Sequence, residues 1–225
     1  TINQGTLKVG TGTAPNTFGT GSITVNSGGA LDLNGGSFNA PSIPLTLSGT
    51  GVSNGGALVN STNTAVTYAG LITLAGNSSI YAGSGTTGSI TLSNVSTITG
   101  NGYNLTLGGL GTVSTITSII GTGGGAIFKQ DSGTWSLNGA NTYSGGTTVN
   151  AGTLKIGSPV ASSSTAFGTG GITVNSGATL DLNGRTLSGA LPLTLSGTGV
   201  GGAGALLNGG ASGLVTYAGL LTLAG

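Results

Sequence analysis

Short alternating runs recur along the whole chain. Leu7-Lys8-Val9, Ile23-Thr24-Val25, Leu31-Asp32-Leu33, Leu45-Thr46-Leu47, Trp135-Ser136-Leu137 and Leu154-Lys155-Ile156 each set one polar residue between two apolar ones. Successive side chains of a strand point to opposite faces, so this is the period of a half-buried strand. Ile127-Phe128-Lys129 falls in the same series. Gly, Asn and Ser separate the runs, and these residues accept tight bends and positive φ. No stretch sustains a 3,4-residue apolar period, so no helix is expected.

The runs begin roughly eight residues apart, which gives about three strands to a coil of ~24 residues. Paired Asn-Gly or Asp-Gly hairpin turns between matched strands are mostly missing, and the strands are too short to tile a sandwich well. The expected fold is all-β: a parallel β-helix, or β-solenoid, in which each coil buries its apolar face against the next. Nine or ten coils stacked at ~4.8 Å would make a rod about 45 Å long.

A long repeat overlies the short one. Gly5-Thr-Leu-Lys8 recurs as Gly152-Thr-Leu-Lys155, an offset of 152 − 5 = 147. Pro44-Leu-Thr-Leu-Ser-Gly-Thr-Gly-Val52 recurs unchanged from Pro192 to Val200, and Tyr68-Ala-Gly-Leu recurs at Tyr217. Residues 1–147 are read as one complete unit and 148–225 as the first half of a second, continuous with it as one solenoid. Small insertions fall near Pro159–Ser164. Thr1 is not Met and neither end falls on a recognisable unit boundary, so a piece of a longer array is expected.

Composition narrows the chemistry. The chain of 225 residues holds 49 Gly, four Lys or Arg, three acidic residues and no His, Cys or Met. There is no imidazole base or ligand, no thiol and no disulfide. Three scattered Asp offer little to a calcium array or a paired-carboxylate site. No cofactor is expected and no catalysis. A net charge of +1 gives no basic field for nucleic acid. No apolar run approaches the ~18 residues of a membrane helix, so no membrane insertion by this segment is expected. With 36% apolar residues and almost no charge, the composition is not that of a disordered chain. With so few titrating groups, folding is expected to be nearly independent of pH around neutrality.

One stretch carries a resemblance. Gly139-Ala-Asn-Thr-Tyr-Ser-Gly-Gly-Thr-Thr-Val-Asn-Ala-Gly-Thr-Leu154, preceded by Asp131-Ser-Gly-Thr-Trp-Ser-Leu137, resembles the autotransporter-associated β-strand repeat of bacterial passenger regions. Ala166–Gly184 is similar to the usual continuation, and Thr1–Gly10 to the tail of an earlier copy. The resemblance implies a right-handed parallel β-helix, export through the outer membrane and an extracellular or cell-surface location. It implies a structural segment of a long surface or secreted fibre, serving adhesion, cell–cell contact or a biofilm matrix. The partners to expect are then the chain itself, by covalent continuation or end-to-end stacking, and a host or neighbouring cell surface or glycan.

Lys8 and Asp32 lie about one coil apart, as do their counterparts Lys155 and Asp181. Each sits between inward-pointing apolar residues and is expected to point outward. We read them as inter-coil ion pairs repeated in each unit; the competing reading is four solvated surface charges. Trp135, alternating with Leu137, is assigned to the core rather than to a sugar platform. Tyr143, in a Gly/Asn turn, is expected to cover a coil corner. Phe18 and Phe167, each followed by Gly-Thr-Gly, are read as corner or core packing. Gly121–Gly125 lacks the Gly-Lys-[Ser/Thr] of a phosphate loop and is read as a turn. Thr-x-Thr at Thr11, Thr97 and Thr115 raises ice binding, but the outward positions read as mixed Thr, Ser, Asp and Lys. The alternative function is a polysaccharide-binding β-helix, for which Lys129, Asp131 and Arg185 are the remaining charges.

Overall fold

A computed structural model describes residues 1–10, 19, 21–39, 43–83, 85, 87–158, 165–210 and 214–225. Phe18, Thr11 and the insertion at 159–164 lie outside the described residues. The chain winds into a β-solenoid in which every recorded strand pair is parallel. Among the described residues there is no α-helix, only short 3-10 turns such as Val52–Asn54 and Val200–Gly202.

Three ladders run along the axis. The first stacks ten strands, from Gly5–Lys8 through Gly29–Asp32 and Leu58–Asn60 to Leu221–Leu223. The second stacks seven, from Ala65–Tyr68 to Leu206–Leu207. The third stacks Ile23–Val25, Leu45–Gly49, the first part of Ile72–Ala82, Ile98–Gly100 and Ile120–Gly121. The strand Ile72–Ala82 bends through a corner and joins the first and third ladders into one sheet. Register partners within the strands are separated by 19 residues at the tightest (Trp135 to Leu154) and 29 at the loosest (Gly49 to Ser78). The coil is constant in its strands and variable in its corners.

Alternation sets the core. In Ile23–Val25, Leu45–Leu47, Leu105–Leu107 and Leu193–Leu195 the outer residues are buried and the central Thr is half-exposed. Inward residues stack coil upon coil, so Leu31, Leu58, Ile80 and Leu107 form one continuous column. No coil closes its own core, and each such Leu or Ile contributes about 2 kcal/mol only because a neighbour covers it. Close packing at corners requires Gly. A Cβ on Gly51 (φ 77°) would lie 1.9 Å from the Gly56 carbonyl oxygen, and its counterpart on Gly199 (φ 79°) 2.0 Å from that of Gly204.

Two expectations are corrected here. Asp32 and Asp181 do not project into solvent: they are only 2% and 7% exposed, because the chain of the following coil closes over them. The outward positions are also more uniform than the sequence suggests. Thr24, Thr46, Thr73 and Thr99 are register partners on the third ladder, and Thr148, Thr173, Thr194 and Thr222 on the first.

Candidate functional site

The polar groups that do structural work gather at two copies of one corner, Leu31-Asp-Leu-Asn-Gly35 and Leu180-Asp-Leu-Asn-Gly184. The strand ends at the Asp, and the Asn that follows takes positive φ, 45° at Asn34 and 49° at Asn183. Asn tolerates this left-handed conformation better than most residues, and it turns the chain sharply.

Asp32 Oδ1 accepts the N–H of Asn34 at 2.9 Å and, from the next coil, the N–H of Ser61 at 3.0 Å. Asp181 Oδ1 accepts the N–H of Asn183 at 2.7 Å and that of Gly209 at 2.8 Å. In the other direction, Asn34 Nδ2 donates to the Val9 carbonyl at 3.0 Å and Asn183 Nδ2 to the Ile156 carbonyl at 2.8 Å. The Gly35 and Gly184 N–H groups donate to the side chains of Asn60 and Asn208. Each corner therefore clamps three successive coils through backbone groups that the ladders leave unpaired.

The ion-pair residues sit on this clamp. Lys8 and Asp32 are register partners on the first ladder, with Nζ 3.1 Å from Oδ2. The Lys8 side chain is 57% exposed. Lys155 and Asp181 are register partners on the second ladder, and no ion pair is recorded between them. Burial pushes the Asp32 carboxyl up, but hydrogen bonds from Ser61 and Asn34 and the Lys8 ammonium outweigh it, leaving its pKa below the usual value.

A second polar site was hidden in an apolar position. Lys129 is fully buried in the column between Leu107 and Val149. Its Nζ donates to the carbonyls of Gln130 (2.6 Å), Asp131 (2.7 Å) and Ala151 (3.0 Å). All three ammonium protons are satisfied by main chain of its own coil and the next. Burial pushes its pKa down to about 8, against the opposing pull of the Asp131 carboxylate. The pH dependence this brings therefore lies above neutrality, between the folded and unfolded values of Lys129. Lys129, Asp131 and Arg185 also form no shared groove: Lys129 points into the core, Asp131 Oδ2 accepts the Gly109 N–H, and Arg185 hydrogen-bonds Ser158.

The aromatic residues are interior. Trp135 is 1% exposed and its Nε1 donates to the Gly108 carbonyl at 3.0 Å. Tyr143, which lies outside the strands, is fully buried. Thr147 Oγ1 donates to the Phe167 carbonyl at 2.9 Å, so the 2.6 Å contact between it and Tyr143 is donated by the phenol. Phe167 is fully buried beside them. Sequence reasoning named the Asp of each clamp but gave no role in it to Asn34, Asn60, Asn183 or Asn208, and it counted Lys129 among the charges of a possible glycan surface rather than in the core. The signal for Asn34 and Asn183 was present, since Asp-Leu-Asn-Gly occurs in both copies.

These features define a stacked-coil scaffold, its polar groups spent on tying one coil to another. Residues 127–156, which include Lys129, Trp135 and Tyr143, match the family model of the passenger-associated-transport-repeat. The chain is also similar to the Adhesin BmaC autotransporter of Brucella suis biovar 1 (strain 1330), 33% identical over 171 residues. That alignment covers 73% of this chain and 4% of the adhesin, so the chain spans a small part of the relative's length. No solved structure matches it. The chain thus carries autotransporter passenger sequence, which marks a surface-exposed or secreted protein.

Proposed function

We propose that this chain is a structural stalk segment of an adhesin-type passenger, holding a bacterial surface or secreted fibre extended without catalysing a reaction. Residues 1–147 act as one unit and 148–225 as the first half of the next, in one continuous solenoid. The observation that carries the reading is the duplicated corner clamp, which commits its buried carboxylates to backbone N–H groups of adjacent coils. Axial load passes through ladder hydrogen bonds and these clamps. The fibre grows by covalent continuation, or by stacking through the open ladder edges, which are ready to pair with a further strand.

The test is a passenger from which this segment is excised or in which it is duplicated. The stalk reading expects fibre length to change by about 45 Å while target binding persists. Loss of binding on excision would favour a ligand-binding module, and a glycan array with the isolated chain would then show which sugars it takes. A denaturing gel of intact fibres separates the two growth modes: a band near 21 kDa supports stacking, a very large species supports one continuous chain.

A further inference from the structure

The long repeat and the coil are out of phase. Strands Gly5–Lys8, Gly29–Asp32 and Leu58–Asn60 lie on the first ladder, whereas their counterparts Gly152–Ile156, Ala178–Asp181 and Leu206–Leu207 lie on the second. Strands Ile23–Val25 and Leu45–Gly49 lie on the third ladder, and their counterparts Ile172–Val174 and Leu193–Leu195 on the first. The bridge between Phe38 and Tyr68 likewise has its copy between Leu187 and Tyr217. Within a coil the chain visits the ladders in the order first, second, third. Ile23–Val25 is on the third ladder of the first coil, and its copy is the eighth strand of the first ladder. The unit therefore advances six coils and one third.

We infer that successive units are turned by one third of a revolution about the fibre axis, so that any surface feature occurring once per unit appears in turn on all three faces. The threonine strips display the effect. Thr24, Thr46 and Thr73 face outward from the third ladder, and their equivalents Thr173, Thr194 and Thr222 from the first. A third unit carries the strip on the second ladder. The pattern returns to its starting face after three units and nineteen coils, an axial distance of about 90 Å at ~4.8 Å per coil. A fibre built this way has no privileged side. A partner that recognises the repeated strip meets it at three azimuths, and a flat partner meets it only once in three units.

The inference is tested with pairs of nitroxide labels in the full chain, on outward threonines replaced by Cys. Thr24→Cys/Thr99→Cys and Thr106→Cys/Thr173→Cys are each three coils apart on one ladder, so both pairs should give ~14 Å and strong dipolar broadening. Thr99→Cys/Thr173→Cys joins two ladders and should be clearly longer, with little broadening. The reverse, with Thr173 nearer to Thr99 than to Thr106, would put equivalent residues on one face and overturn the one-third turn. The Thr24/Thr99 pair lies within one unit and reports whether the labelled chain is folded.

Discussion

The two copies of the Leu-Asp-Leu-Asn-Gly corner keep the same hydrogen bonds while differing in almost everything around them. They lie on different ladders, one at the first and one at the second. One Asp has a lysine at 3.1 Å, and the other has none recorded. The residue supplying the N–H of the following coil is Ser61 in one case and Gly209 in the other. Yet the Asp-to-backbone and Asn-to-backbone contacts agree to within a few tenths of an ångström. The clamp is thus a property of the backbone turn, and the lysine is an addition to it.

The sharpest way to break this comparison is to remove each carboxylate. Asp32→Ala and Asp181→Ala each orphan two N–H groups, at about 1–3 kcal/mol apiece. Both should lose about 3 kcal/mol in guanidinium unfolding, and by similar amounts. A loss confined to Asp32→Ala would make the ion pair, not the clamp, the active element.

A pH profile separates the clamps from the buried lysine lying between them. The folded pKa of Lys129, about 8, is below its unfolded value near 10.5, so the unfolded chain binds the extra proton between them. Stability should be flat below pH 8 and rise by about 2 kcal/mol towards pH 10. Above pH 10 the buried Tyr68 and Tyr143, both raised by burial, reverse the trend, since stability is lost as the unfolded phenols ionise. On the acid side Asp32, lowered in the fold, contributes stability above its unfolded pKa that is lost as pH falls through the folded value. Lys129→Met should abolish the alkaline rise and leave the acid limb intact.

The smallest effects separate the lysines of the two copies. Lys8→Ala should cost at most about 1 kcal/mol, the range of exposed pairs, and less in high salt. Lys155→Ala should be indistinguishable from the parent. Equal losses would mean that Lys155 and Asp181 pair in solution.

The ladders were legible because alternation is a direct record of which side chains face the axis. The inward columns of Leu, Ile and Val follow from it without further information, as does Trp135 between Thr134 and Ser136. Asp32 and Asp181 show the limit of that rule. Alternation assigns a direction, but whether an outward residue is exposed depends on the next coil, some 28 residues away in sequence. Lys129 shows the opposite limit: its position is apolar by period, and only the register reveals that carbonyls of its own coil and the next converge there. The one-third turn was hidden because coils range from 19 to 29 residues, so 147 residues do not count coils reliably.

That spread in coil length bears on how such a sequence changes over generations. Extra residues enter at the corners, as at the exposed 3-10 turn Val52–Asn54, and leave the strand stack unbroken. Outline and rise per coil are therefore independently inheritable: a lineage could remodel what its neighbours touch, insertion by insertion, without shortening its reach.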